Sequence, residues 1–70
     1  MLAYFSIRLK QLRAAKGMTQ SEVALYVGVS RSVISAYESD LRYPSYEILI
    51  RLSSLFGVST DFMLGVERGR

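Results

Sequence analysis

The residues of this chain that could do chemistry are mainly side chains that form hydrogen bonds, and they lie between residues 31 and 42. None of them has a catalytic partner. Arg31 and Arg42 flank a segment that also holds Ser32, Ser35 and Ser39. A guanidinium presents five N–H donors in a planar fork, and a hydroxyl both donates and accepts. The sequence has no histidine and no cysteine, which excludes imidazole and thiolate catalysis and Cys/His metal sites. These residue types indicate a binding surface and not an enzyme.

The segment that carries these side chains is predicted to form the second of two short helices joined by a tight turn. Thr19, followed three residues later by Glu22, forms a capping box, so the first of the two helices should begin directly after Thr19. Gly28 accepts the left-handed backbone of a C-terminal cap. Ser30 is a good N-cap for the next helix, worth roughly 1 kcal/mol over alanine.

Helical spacing divides the second of these helices between a buried face and an open face. Ile34 and Tyr37 are three residues apart and share one face, as Val23 and Val27 do in the helix before it. The opposite side is left with Arg31, Ser32, Ser35, Ala36 and Ser39. A helix that keeps one face polar in a small basic protein usually presents that face to a partner.

Three further helices complete an all-α map without a strand signal. The predicted helices span residues 6–16, 20–27, 31–39, 46–56 and about 60–64. Phe5, Leu9 and Leu12 should form the inner face of the first helix. Pro44 disfavours helix at the residue before it, and Ser45 should cap the fourth helix. Either Ser59 or Thr60 should cap the last.

Composition is consistent with one small domain over residues 1–70, with a core over about 5–65 and a frayed tail over 66–70. A chain of this length buries only about 60% of its unfolded surface, so the core should be thin. The net charge of +3 is moderately basic. The lack of cysteine favours a cytoplasmic setting. No signal peptide is expected, nor an apolar run of the ~20 residues that a membrane helix needs.

These features together resemble the helix-turn-helix of the Cro/cI-type (XRE-like) bacterial and phage repressors. Ala24, Gly28 and Ile34 stand at the fifth, ninth and fifteenth positions of that motif. Other stretches that resemble the family are Leu9–Arg13 with Lys16–Met18, Arg42–Ser45 with Leu52, and Gly57–Asp61 with Leu64 and Gly65. The resemblance covers about residues 5–65. It implies a compact bundle of about five short helices, as in the lambda repressor-like DNA-binding domains.

In a helix-turn-helix the second helix lies in the major groove, and residues near its N-terminal end meet base edges. We predict base contacts from Arg31, Ser32, Val33, Ser35 and Ala36. We predict contacts to the DNA backbone from Gln20, Ser30, Ser39, Arg42 and Tyr43. The guanidinium of Arg31 matches the two acceptors of a guanine, a pair that discriminates by about 1–3 kcal/mol. The resemblance implies that Gln20 also braces the start of the recognition helix.

Each of these roles has a plainer alternative that the sequence leaves open. Val33 could belong to the core, and Ala36 could merely allow the helix to come close to DNA. Arg31 could be a solvated cap residue, and Gln20 could be an ordinary residue of the first helical turn. Arg42 could be a surface arginine. Arg8 and Lys10 are expected to be solvated.

The resemblance also implies an ion pair between Arg13 and Glu38 that ties the first helix to the end of the third. Two positions depart from the family pattern. Asp40 stands where relatives usually have glycine, and aspartate tolerates left-handed backbone better than most residues. Ala36 stands where relatives often carry a long polar side chain, so DNA shape should supply part of the specificity.

A self-association patch is expected near the C-terminal helices, because the chain has more apolar residues than one thin core needs. The candidates are Ile50, Leu55, Phe62 and Met63, with Ile48, Tyr4 and Ile7 as further possibilities. The alternative is that most of these side chains belong to the core or are scattered over the surface.

The sequence thus predicts a sequence-specific regulator, acting as a repressor, that binds double-stranded DNA as a homodimer on a palindromic operator. No enzymatic activity, cofactor, metal or small-molecule ligand is expected. The alternative is an antitoxin-like module that uses the same helical domain to hold a protein partner. The outer face of the third helix discriminates between the two, and its small polar residues favour DNA.

Overall fold

The computed structural model describes residues 3–66 and contains five helices there. They are α1 (Ala3–Ala15), α2 (Gln20–Val27), α3 (Arg31–Glu38), α4 (Tyr46–Phe56) and α5 (Thr60–Leu64). Over residues 3–66 there is no strand, and no helix in that range is long and apolar enough to cross a membrane. The all-α prediction is confirmed. Residues 67–70 of the predicted tail lie outside the described residues.

Side-chain caps set the starts of four helices. At α2 the backbone N–H of Glu22 donates to the Thr19 hydroxyl at 3.1 Å, and the N–H of Thr19 donates to the Glu22 carboxylate at 2.8 Å. The hydroxyls of Ser30, Ser45 and Ser59 each accept the N–H of the residue three positions on. Because these bonds are local, the predicted starts of α2, α3 and α4 agree with the structure, and Ser59 is the cap of α5.

The first helix begins earlier than predicted. It starts at Ala3, not at Ser6, and ends at Ala15. No cap or breaker precedes Ser6 in the sequence, and contacts with α5 hold the added turn. Tyr4 packs so closely on the C-cap of α5 that a Cβ on Gly65 would lie 2.5 Å from its Cγ atom. The predicted start was therefore wrong because a tertiary contact, and not a local cap, decides it. The third helix ends at Glu38, one residue short of the predicted end.

One cluster of buried side chains joins all five helices. Its members are Phe5, Leu9, Val23, Ala24, Val27, Ile34, Tyr37, Leu49, Leu52 and Met63. The Phe5 and Tyr37 rings meet edge to face, with their centroids 5.8 Å apart, an arrangement that adds to the burial of each ring. This contact links α1 to α3 and so helps to set the position of α3.

The turn between α2 and α3 is held from outside by α4. Gly28 has φ 84°, and its N–H donates to the Ala24 carbonyl. Nη1 of Arg51 donates to the Val27 carbonyl at 3.1 Å, which satisfies an acceptor at the end of α2. A Cβ on Gly28 would lie 3.2 Å from that same nitrogen. Glycine therefore serves both the left-handed turn and the approach of Arg51.

Candidate nucleic-acid interface

The open face of α3 carries the polar side chains that the sequence placed there. Arg31 and Ser32 are exposed, Ser35 and Ala36 are half-buried, and Ser39 is exposed just after the helix. Only three residues of the helix are buried, namely Ile34, Tyr37 and Glu38. Small polar groups and one long cation therefore make up the surface that α3 offers to a partner.

The first turn of α3 is ordered by hydroxyl contacts. The Ser30 hydroxyl accepts the N–H of Val33 at 3.4 Å and lies 3.0 Å from the Ser32 hydroxyl. Ser32 is thus within reach of both the cap and any ligand at the helix start. Val33 itself is half-buried and packs against the core, which agrees with the alternative interpretation of Val33 as a core residue.

Arg31 and Gln20, eleven residues apart, are brought into direct contact. Nη1 of Arg31 donates to Oε1 of Gln20 at 2.9 Å. The other end of the glutamine amide donates from Nε2 to Oε1 of Glu38 at 3.0 Å. Gln20 therefore braces the start of α3, as the resemblance implied, and it does so through a link to Glu38 that the sequence pattern did not predict. No local signal marks that link, because the two residues lie in different helices.

The expected ion pair between Arg13 and Glu38 is present. Nε of Arg13 donates to Oε2 of Glu38 at 2.5 Å, and Nη2 donates to Oε1 at 3.0 Å. Nη1 donates to the Met18 carbonyl at 2.9 Å. The side chains are 20% and 5% exposed, respectively. The hydrogen bond with Glu38 raises the pKa of the Arg13 guanidinium, against a smaller lowering by desolvation. The pair thus ties α1 to the end of α3.

The loop after α3 begins with a left-handed residue that is not glycine. Asp40 has φ 62°, its N–H donates to the Tyr37 carbonyl, and the N–H of Leu41 donates to the Ala36 carbonyl. These two bonds form the Schellman arrangement that usually takes glycine. Oδ1 of Asp40 is buried and has no hydrogen-bond partner. The turn therefore survives the departure from the family pattern, with a strained backbone and an unsatisfied acceptor.

Two further residues for which DNA backbone contacts are predicted lie in this loop. Arg42 and Tyr43 are both exposed, on the stretch between α3 and α4. The charge of Arg42 partly offsets the effect of burial, which raises the pKa of the Tyr37 hydroxyl. The charge of Arg42 therefore acts on the hydroxyl of a residue of α3.

Fewer of the residues predicted to form a self-association patch are exposed than the sequence suggested. Ile50 is 59% exposed and Phe62 is 43% exposed, whereas Met63 is fully buried. The prediction for Met63 was wrong, because its side chain belongs to the core, and Leu55 is partly buried against that core.

Arg8, expected to be solvated, instead donates to the Phe62 carbonyl. Its guanidinium also lies over the rings of Phe62 and Tyr4, at 4.3 and 5.4 Å from their centroids.

The arrangement is suited to hydrogen bonding and charge contact on an open surface. Within residues 3–66 no group of three His, Cys, Asp or Glu side chains could hold a metal ion. The exposed polar side chains of α3 and its two caps are hydroxyls and one guanidinium, which suit an anionic partner that carries acceptors.

The sequence is similar to those of known proteins. The profile of the helix-turn-helix family matches residues 9–63. The HTH-type transcriptional regulator ImmR of Bacillus subtilis (strain 168) is 43% identical over 58 residues, which cover 83% of this chain and 46% of that protein. This chain spans about half the length of this and other curated relatives that it matches.

Solved structures agree in fold. The P22 c2 repressor protein, in complex with a synthetic operator, superposes with a TM-score of 0.85 at 28% identity, covering 90% of this chain and 96% of that one. The N-terminal DNA-binding domain of SinR from Bacillus subtilis has a TM-score of 0.78 at 34% identity, covering 94% and 96%. The predicted repressor-like fold is confirmed.

Proposed function

This chain belongs to the helix-turn-helix family, and on that premise we propose that it is a sequence-specific transcriptional regulator that binds double-stranded DNA through α3. The observation that carries the proposal is the position of Arg31. It is exposed at the first residue of α3 and held there by Gln20 at 2.9 Å. In this geometry the N-terminal end of the second helix meets base edges in the major groove.

Base recognition is assigned first to Arg31, whose free N–H groups match N7 and O6 of a guanine. Ser32 and Ser35 add hydrogen bonds of low intrinsic preference. Ala36 is half-buried and allows the helix to come close to the bases. Val33 makes at most an apolar contact, since much of its surface packs on the core. Few direct contacts remain, so DNA shape contributes to specificity.

Backbone contacts are assigned to side chains at the two ends of α3 and in the following loop. These are Gln20, Ser30, Ser39, Arg42 and Tyr43. The amide of Gln20 is already bonded to Glu38 and Arg31, but its nitrogen carries a second N–H that can reach a phosphate. Arg42 supplies charge, which stabilises binding to any sequence and makes it depend on salt.

We further propose that the protein represses transcription as a homodimer on a palindromic operator. Two copies would read half-sites about 34 Å apart, one turn of the duplex. Ile50 and Phe62 are exposed apolar side chains on α4 and α5 and are the proposed contacts between copies, with the partly buried Leu55 as a further candidate. The repressor role rests on likeness to the P22 c2 repressor protein, whose structure contains an operator. Such a protein acts in the cytoplasm, on the nucleoid.

The test is selection of a preferred site from a random duplex library, followed by titration of that site and a scrambled control at two salt concentrations. We expect a palindromic site bound ~10³-fold or more tightly than the control. Equal and strongly salt-dependent binding to both would contradict sequence specificity. Absence of binding to either by the folded protein would contradict the DNA-binding proposal and favour a protein partner.

Two variants separate the assigned roles. Arg31→Ala should relax preference at one base position. Arg42→Ala should weaken binding to all sequences and reduce the salt slope by about one unit. Lys10→Ala, at an exposed position of α1, removes the same charge from a different helix and serves as the matched control. If Arg31→Ala weakened every sequence equally, its assignment as a base reader would be wrong.

A further inference from the structure

A continuous chain of hydrogen bonds runs from α1 to the first residue of α3. Arg13 donates twice to Glu38, Glu38 accepts from the Gln20 amide at 3.0 Å, and the Gln20 oxygen accepts from Arg31 at 2.9 Å. Glu38 is buried, whereas Arg31 is exposed at the open surface of α3. The network therefore joins a buried charge to an exposed one.

The chemistry of the four groups allows only one order of donors and acceptors. An ionised carboxylate only accepts and a guanidinium only donates, whereas an amide has one end of each kind. The donor end of Gln20 must therefore face Glu38, and its oxygen must then face Arg31. If the carboxylate were absent, the exposed guanidinium of Arg31 would be the only group in this network that favours this orientation of the amide, and the NH₂ group would lose its acceptor.

We propose that Glu38 is a positioning residue for base recognition: its carboxylate orients the Gln20 amide, and that amide holds the Arg31 guanidinium in place before DNA arrives. The inference rests on the function proposed above and deepens it. The Glu38 side chain is only 5% exposed, so it acts through Gln20 and not by touching DNA.

The bond to Gln20 also selects which edge of the guanidinium is offered. It occupies Nη1 of Arg31 and leaves the Nε–H and Nη2–H edge free. Two parallel N–H groups are what bidentate recognition of a guanine requires. A long side chain that is already held loses less rotamer freedom on binding. Loss of Glu38 should therefore reduce discrimination at the base that Arg31 reads, more than it reduces binding in general.

The test compares the double variant Arg13→Met/Glu38→Met with Lys10→Met/Glu47→Met. Each removes one basic and one acidic side chain, so the net charge is unchanged in each. Apolar replacement of a whole buried pair is often tolerated. The two control residues lie at exposed positions of α1 and α4. The readout is the affinity ratio between the selected operator and the same operator altered at the base position that Arg31→Ala identifies.

We expect the ratio to fall roughly 2- to 10-fold in Arg13→Met/Glu38→Met, the fold-change that corresponds to one typical hydrogen bond. It should stay unchanged in the control. In an Arg31→Ala background the same double variant should cause no further fall, because coupled residues are not additive. A merely structural role for Glu38 would lower affinity for all sequences and leave the ratio unchanged.

A second variant keeps the test decisive if the double variant does not fold. Gln20→Met leaves the bonds between Arg13 and Glu38 in place and should lower the ratio by the same factor. An unchanged ratio in folded Gln20→Met overturns the inference, while site selection by the wild-type protein would still support the proposed function. Failure of the wild-type protein to select any site would overturn the proposed function, and the inference with it.

Discussion

The ion pair between Arg13 and Glu38 leads to a prediction about stability that depends on which partner is removed. Arg13→Met leaves the Glu38 carboxylate with the Gln20 amide as its remaining donor in this network. Glu38→Met leaves the Arg13 guanidinium with the Met18 carbonyl, to which it donates at 2.9 Å. The two losses should differ because the stranded carboxylate is 5% exposed and the stranded guanidinium is 20% exposed.

The expected magnitudes follow from this difference. Breaking a buried pair by removing one partner costs about 3–5 kcal/mol, whereas an exposed pair is worth about 0–1 kcal/mol. Glu38 is close to the buried limit, so Arg13→Met should lower the free energy of unfolding by about 4 kcal/mol. Arg13 retains some water and one acceptor, so Glu38→Met should lower it by about 2–3 kcal/mol. Arg13→Met/Glu38→Met strands no charge and should lose less than either single variant.

The assay is urea and thermal denaturation followed by far-UV circular dichroism. A domain of this size has a total stability of roughly 4–10 kcal/mol, so Arg13→Met should be measured near about 15 °C, where stability is close to its maximum. Each kcal/mol should shift Tm by about 4–8 °C. The reasoning is refuted if both single variants lose less than about 1 kcal/mol, or if Glu38→Met costs more than Arg13→Met.

Three further changes test local features of the fold. Asp40→Gly should raise the free energy of unfolding by about 1 kcal/mol in urea denaturation, since it removes a left-handed strain and a buried unpaired acceptor; a loss would contradict this. Gly28→Ala should lower the free energy of unfolding by roughly 1–2 kcal/mol, because φ is 84° and Nη1 of Arg51 would lie 3.2 Å from the added Cβ. Unchanged stability in urea denaturation would show that the turn relaxes around the added methyl group. Burial raises the pKa of Tyr37 above its ordinary 10.0, so the folded state holds the proton more tightly than the unfolded state. The stability that this proton contributes is complete below pH 10.0 and is lost as pH rises through the folded pKa. Urea denaturation from about pH 8 to 11 should therefore show a shallower decline in the free energy of unfolding for Tyr37→Phe than for the wild-type protein.

The helix ends that the sequence predicted correctly are those with local chemistry at the boundary. α2 lies between the Thr19 capping box and Gly28, and α4 lies between Ser45 and Gly57. Each of these caps bonds to backbone within a few residues, so the residue types alone indicate it. α1 has no such start signal, and its first turn is helical because Tyr4 packs on α5.

The candidate site was predictable in its residue types and less so in its contacts. The capped start of α3 and the spacing of Ile34 and Tyr37 are enough to put Arg31 on the open face, because both act within one helix. Burial of Met63 was not predictable, because a five-residue helix is too short for spacing to distinguish its inner and outer sides. The contacts of these residues with DNA stay predictions.

By itself the sequence determined the local backbone of this protein and the face of α3 that stays polar, because caps, glycine turns and helical spacing act over a few residues. Only the tertiary structure decided which groups meet across helices. The packing of α2 on α3 sets the Gln20 amide between Glu38 and Arg31, residues that lie 18 and 11 positions away. Such contacts depend on how whole helices are placed against a shared core, and no short-range pattern encodes that placement.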